Sequence, residues 1–310
     1  MWTDPALAPV AEGGGVSLDG ILIPAATPFD PVTGDVEIVN LRTNVRAWLE
    51  HPILGIVLGG STGEAVFLER DERRALLAGV RAVIPDDRLM VAGTGAESTR
   101  GTVALTRDAA EAGADAVLVQ PPAYYRGAMT PEVLRRHYHA VADASPIPVI
   151  LYQVPLRFST VEFSTGLVAE LSEHPNIIGI KDSRGDLAAL SDLIIHSRDG
   201  FQVLVGSGAA LYPSLEVGAA GGILGVANLV PGWAGELHAA FRSGDHVRAG
   251  TLQEQMGPLH KEIVAALGVP GVKFALDRLG LVGGDPRPPL APLPEKVRPR
   301  VLAALERAGL

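Results

Sequence analysis

Lys181 stands directly after the apolar run Ile177-Ile-Gly-Ile180, an unusual place for an amine in this chain. Only four of the 26 basic residues are Lys (Lys181, Lys261, Lys273 and Lys296), so Arg is used wherever a positive charge suffices. Arg stays protonated and cannot act as a nucleophilic amine, whereas Lys can add to a ketone and form a Schiff base. A lysine at its usual pKa of ~10.4 is a free amine in only about 0.04% of molecules at pH 7, so that role calls for a desolvating site or a neighbouring like charge. The competing reading is a lysine paired with a carboxylate such as Asp182 or Glu64, or one whose stem carries the charge out to water. Tyr152 ends the preceding apolar run, and its phenol could relay protons, or it could be an ordinary core tyrosine. Ser61 and Thr62 sit in the turn Gly60-Ser-Thr-Gly63, where hydroxyls and backbone N–H groups can cradle a carboxylate, although such a turn alone says little. Arg157 suits a second carboxylate by bidentate pairing, or is a surface residue.

Composition removes the competing chemistries. With no Cys there is no thiolate metal site, iron–sulfur cluster, disulfide framework or Cys nucleophile. The eight His all fall in predicted helices or loops away from the strand ends, so no metal and no cofactor are expected. A net charge of −9 argues against a nucleic-acid partner. The first 15 residues lack the basic start and apolar run of a secretory signal. The longest uncharged stretch, 217–235, is rich in Gly and broken by Asn228 and Pro231, which does not suit a bilayer span. A cytoplasmic protein without a membrane partner is expected.

The elements that must hold these side chains can be read from periodicity. Eight short, nearly continuous apolar runs start at residues 21, 55, 89, 116, 148, 177, 201 and 221, and helical patterns lie between them. Each run has the character of a strand buried on both faces. Ser98 or Thr99 is a candidate cap for the helix after the third run. This alternation matches an α/β fold, the closed (β/α)8 TIM barrel. A doubly wound sheet would want a Gly-rich fingerprint after the first strand, where Pro24, Thr27 and Pro28 stand instead. The expected organisation is a loose tail over 1–18, a catalytic barrel over 19–235, and a helical extension over 236–310 packed on the barrel. Breaks in the extension are expected at Gly268-Val-Pro-Gly271 and 283–289. Lys261, Lys273 and Lys296 fall in that extension, where solvent exposure would explain them. Active sites of such barrels lie at the C-terminal strand ends, which is where Ser61, Thr62, Tyr124, Tyr125, Tyr152, Arg157, Lys181, Ser183, Gly206 and Ile223 collect.

Gly60-Ser-Thr-Gly-Glu64, Tyr152-x-Val-Pro155 and Gly179-Ile-Lys-Asp182 occur in this order, and the chain from about residue 20 to 305 resembles the dihydrodipicolinate synthase / N-acetylneuraminate lyase family. The resemblance implies a lyase with Lys181 as Schiff-base lysine, Tyr152 as catalytic tyrosine, and the Ser61–Thr62 turn as the seat of a 2-oxo acid carboxylate. The family's second tyrosine, which can reach across a subunit interface, matches Tyr124 or Tyr125. Gly206 and Ile223 match backbone positions lining the pocket, and a homotetramer built as a dimer of dimers is implied, with pyruvate as a substrate. Within the family, Tyr124-Tyr-Arg-Gly127, Ser145-Pro-Ile-Pro-Val149, His174-Pro-Asn-Ile177, Lys181-Asp-Ser183 and Gly268-Val-Pro-Gly271 look most like 4-hydroxy-2-oxoglutarate aldolases. Arg157 instead matches the dihydrodipicolinate synthases, which condense pyruvate with aspartate semialdehyde, while Gln153, Ser61 and Asp182-Ser183 depart from them. The stretch after Glu64 lacks the residues of lysine-inhibited synthases, so a synthase here is expected not to respond to lysine. A 2-keto-3-deoxy sugar acid aldolase or dehydratase, a sialic acid lyase and a non-catalytic oxo-acid-binding barrel are the remaining alternatives.

Overall fold

The structure is a computed structural model that describes residues 15–310. Eight parallel strands close into a barrel in sequence order: β1 (Ile21–Pro24), β2 (Gly55–Leu58), β3 (Leu89–Gly93), β4 (Ala116–Val119), β5 (Val149–Gln153), β6 (Ile177–Asp182), β7 (Gln202–Val205) and β8 (Gly221–Ile223). Barrel closure comes from the pairing of β1 with β8, Leu22 opposite Ile223. Each strand is shorter than its apolar run. Apart from Pro148 and Phe201, which precede β5 and β7, the remainder of each run leaves the ladder at the C-terminal end and builds the loops above the barrel. In the first run, only Ile21–Pro24 pairs, and Phe29 instead bridges to Val36.

Alternation divides the apolar residues into two cores. Leu22, Val57, Val91, Leu118, Ile150, Leu204 and Ile223 fill the barrel, and Tyr152 caps this column toward the top. Ile23, Ile56, Met90, Val117, Leu151 and Ile180 face the surrounding helices. Helices follow the strands, among them α1 (Ile38–Leu49), α2 (Arg70–Arg81), α3 (Thr99–Glu111), α4 (Pro131–Ala144), α5 (Thr165–Ser172), α6 (Leu187–His196), α7 (Leu211–Glu216) and α8 (Pro231–Arg242). The Ser98 hydroxyl does cap α3, accepting from the Gly101 N–H at 3.0 Å.

The extension comprises α9 (His246–Leu259), a π-helical turn (His260–Ala265), α10 (Ala266–Arg278) and α11 (Arg298–Arg307). Gly268 breaks the start of α10 with φ 63° and ψ −151°, a conformation that only glycine takes without strain. The break falls inside the punctuation read from the sequence.

Two expectations need correction. Residues 1–14 of the expected loose tail lie outside the described residues, but Val16 and Leu18 are not loose. The Gln202 side chain accepts from the Leu18 N–H at 2.6 Å and donates to the Val16 carbonyl at 3.1 Å, so buried Leu18 plugs the barrel's lower end. Lys261 and Lys296 are exposed as expected, but Lys273 on α10 is fully buried. Its amine donates to Glu64 Oε1 at 2.9 Å and to the carbonyls of Thr27 and Asp285 at 2.8 Å each, so all three of its hydrogens are used. Full partnering is what makes a buried charge tolerable. No helix among the described residues is long and apolar enough to cross a membrane.

Candidate active site

Strand pairing brings the two leading candidates together. Tyr152 on β5 and Lys181 on β6 are register partners, both inward-facing and nearly buried. The Lys181 Nζ lies 4.2 Å from the centre of the Tyr152 ring. The Tyr152 hydroxyl is 3.3 Å from Ser61 Oγ, so phenol and turn hydroxyl are joined above the amine. Neither carboxylate proposed as a mate for Lys181 serves that purpose. Glu64 pairs with Lys273, and Asp182 pairs with Arg184 through its Nε at 2.9 Å and through Nη2. That ion pair and burial act in opposite senses on Arg184, and its pKa is raised.

These groups line a cavity of about 390 Å³ at the C-terminal strand ends. Ser61, Thr62, Tyr152, Arg157, Lys181, Ser183, Gly206 and Ile223 all border it, as the sequence suggested. Gly206 is required by packing. A Cβ there would lie 1.8 Å from Ser183 Oγ, so glycine lets β6 and β7 carry Ser183 and Ser207 side by side. Gln153 does not reach the cavity. Its amide spans the loop above β5, donating to the Val154 and Val161 carbonyls and accepting from the Phe163 N–H at 2.8 Å. Its departure from the synthase pattern therefore bears on loop shape rather than on substrate contact.

Tyr124 and Tyr125 are not brought to the cavity within the chain. They form a T-shaped pair, 79% and 72% exposed, on the loop after β4. Exposed Leu156 and Phe158 lie on the loop after β5.

Two residues play parts that the sequence does not announce. The first is Glu64, the one non-glycine residue at positive φ (58°) among the described residues. Its two carboxylate oxygens accept from Lys273 and from the Arg287 N–H at 2.8 Å, and they fix the Ser61–Thr62 turn against the extension. A non-glycine residue at positive φ persists only where surroundings over-determine it. The second is His260, which corrects the expectation that every histidine lies away from the strand ends. The π-helical turn points its ring into the cavity, where it meets Ser207 Oγ at 3.3 Å and the Gly208 N–H at 3.2 Å. Burial, with Arg157 and Lys261 nearby, pushes its pKa down to about 4. Its helix also supplies Val264 and Ala265, and α10 supplies Gly268, Val269 and Val272, so the extension forms one wall of the cavity. Arg157 reaches that wall, donating to the Ala265 carbonyl at 3.2 Å.

The cavity's charge is one-sided. Lys181 and Arg157 border it without a carboxylate partner, Arg184 borders it already paired with Asp182, and none of the bordering residues is Asp or Glu. Such a basin favours anionic ligands.

A parallel eight-stranded barrel with an amine, a phenol and a hydroxyl turn in one cavity at its C-terminal face has the parts of an aldolase-type lyase. The dihydrodipicolinate synthetase family matches residues 17–308, and the chain belongs to that family as a lyase. It is 37% identical over 279 residues to a 4-hydroxy-tetrahydrodipicolinate synthase of Methanoculleus marisnigri, covering 89% of this chain and 94% of that one. It is 35% identical over 301 residues to a probable mitochondrial 4-hydroxy-2-oxoglutarate aldolase of Emericella nidulans, covering 93% of each. The crystal structure of the dihydrodipicolinate synthase of Acinetobacter baumannii, complexed with pyruvate, superposes with a TM-score of 0.89 at 34% identity, covering 94% of this chain and 99% of that one.

Proposed function

We propose that the protein makes or breaks a carbon–carbon bond between pyruvate and an aldehyde that itself carries a carboxylate. Lys181 adds to the C2 ketone of the 2-oxo acid, and loss of water gives a protonated imine. The C1 carboxylate rests on the Ser61–Thr62 turn. Tyr152, in contact with Ser61, moves protons between the carbinolamine and the turn hydroxyls. The imine withdraws electrons from C3. In cleavage, Tyr152 takes the C4 hydroxyl proton as the C3–C4 bond breaks, the aldehyde leaves, and the enamine on Lys181 is protonated at C3 and hydrolysed by water to free pyruvate and the amine. In condensation, the enamine carbon attacks the aldehyde, and water then releases the product.

One observation carries the reading: Lys181 is a nearly buried amine beside Tyr152, with no carboxylate within ion-pair distance among the described residues. The one-sided charge of the cavity supports a substrate anionic at both ends. Aspartate semialdehyde meets that requirement, with Arg157 as the partner of its carboxylate, and the Methanoculleus relative supports it. A second reading, cleavage of 4-hydroxy-2-oxoglutarate, is supported by Lys181-Asp-Ser183, by Gly268-Val-Pro-Gly271 and by the Emericella relative. Its aldehyde product also carries a carboxylate. Neutral polyol tails of sugar acids fit the same wall less well.

We further propose that a second subunit covers the bare Tyr124–Tyr125 pair, in a tetramer built as a dimer of dimers. The test of the chemistry is borohydride reduction in the presence of pyruvate. A mass increment on Lys181 with loss of turnover is expected, and an unmodified Lys181 sinks the Schiff-base reading. Parallel assays with aspartate semialdehyde plus pyruvate and with 4-hydroxy-2-oxoglutarate then choose the substrate.

A further inference from the structure

The Ser207–His260 contact has no part in the chemistry above, yet its hydrogen bonds have a fixed direction. The Gly208 backbone N–H can only donate, so His260 Nδ1 accepts. A neutral ring that accepts at Nδ1 carries its hydrogen on Nε2, and that hydrogen points at Ser207 Oγ. Ser207 thus receives a bond from His260 and has its own O–H left to give. The strand register says where that hydrogen goes. Lys181 pairs with Leu204, and Ser207 lies three residues further along an extended chain, roughly 10 Å along the strand direction at ~3.3 Å per residue and so above the amine toward the C-terminal mouth. It borders the cavity above the amine, on the side where the aldehyde half would lie.

We propose that His260 is a positioning residue that fixes Ser207 as a hydrogen-bond donor to an acceptor oxygen on the aldehyde half of the substrate. The inference rests on the Schiff-base reading for which end of the substrate Lys181 holds. His260 is held in place by its backbone contact to Gly208 and by the π-helical turn, so the donor direction is built into the fold and not chosen by the ligand. A tautomer with hydrogen on Nδ1 would face the Gly208 N–H donor to donor and is excluded.

The experiment compares condensation of pyruvate with glyoxylate, which carries acceptor oxygens, and with acetaldehyde, which lacks them beyond the reacting carbonyl. The readout is the ratio of the two kcat/KM values. Ser207→Ala and His260→Asn are each expected to lower that ratio about tenfold, the loss of one hydrogen bond. The Asn carbonyl can still accept from Gly208 but offers nothing to Ser207. The double variant is expected to be no lower than Ser207→Ala alone, because both act through one hydrogen. His260→Gln, whose amide N–H can take the place of Nε2–H, is expected to recover most of the ratio. Additive losses, or an unchanged ratio in His260→Asn beside a lowered one in Ser207→Ala, would overturn the role of His260. An unchanged ratio in Ser207→Ala would overturn the whole inference. If borohydride leaves Lys181 unmodified, the Schiff-base reading fails instead, and calorimetry with glutarate against valerate reads the distal contact without turnover. Equal discrimination by wild type and Ser207→Ala there again overturns it.

Discussion

Lys181 reaches its task through side-chain alternation. On β6, Ile180 faces the helices and Lys181 the barrel, so a one-residue slip would bury the amine among apolar side chains. Lys181→Arg keeps the charge but not the chemistry, and it is expected to give a folded protein that traps no pyruvate with borohydride. Tyr152→Phe removes only the hydroxyl at Ser61 and is expected to lower kcat by about 10²–10⁴, the range of one proton-transferring group. His260 and His137 set a pH response. Burial pushes each down to about 4, from an ordinary value near 6.5. Between pH 6.5 and 4 the unfolded chain therefore binds more protons than the folded one, and stability falls as pH falls through that window. Each histidine contributes at most on the order of 3 kcal/mol there, and His260→Gln is expected to flatten the melting-temperature profile between pH 6.5 and 4.5.

At the scale of elements, the strands and their order were legible because each is a continuous apolar run, a local signal. The Lys181–Tyr152 pairing was legible because adjacent runs fix adjacent strands. The role of Lys273 was not, since its partner Glu64 lies 209 residues away and no local pattern links α10 to the turn after β2. The general rule that lysines are solvated gave the wrong answer there. His260 was missed for a similar reason. Only the π-helical turn, an irregularity with no periodic signature, rotates its ring into the cavity. Tyr124 and Tyr125 stand out in the sequence as adjacent phenols, but nothing within one chain distinguishes them, since both are exposed. Lys273→Met strands Glu64 in the interior, and removing one partner of a buried pair costs about 3–5 kcal/mol. Chemical denaturation should show that loss. Adding Glu64→Gln to it is expected to restore part of the stability, because the uncompensated charge is then gone. Gly268→Ala should lower the denaturation midpoint through strain of about 1–3 kcal/mol at the start of α10.

For the whole molecule, the exposed tyrosine pair sets the question of assembly. Light scattering on eluting protein is expected to return four chain masses. Tyr124→Ala/Tyr125→Ala and Lys181→Ala should each be inactive alone. If the tyrosines complete a neighbour's site, mixing the two under conditions that exchange subunits will regenerate some intact sites and measurable activity. Mixtures that stay inactive despite exchange would show that the tyrosines do not complete a neighbour's site.

The cavity wall formed by the extension has a different consequence, for inheritance. His260, Val264, Ala265, Gly268, Val269 and Val272 fall within one 13-residue stretch, whereas Lys181, Tyr152 and the hydroxyl turn come from three separate strands. Substrate preference can therefore drift by changes in a single short segment while the reaction machinery stays untouched. Exchanging residues 258–272 between this chain and a relative of different preference should shift the aldehyde preference, as far as Arg157 and Ser207 allow, and leave imine formation with pyruvate in place.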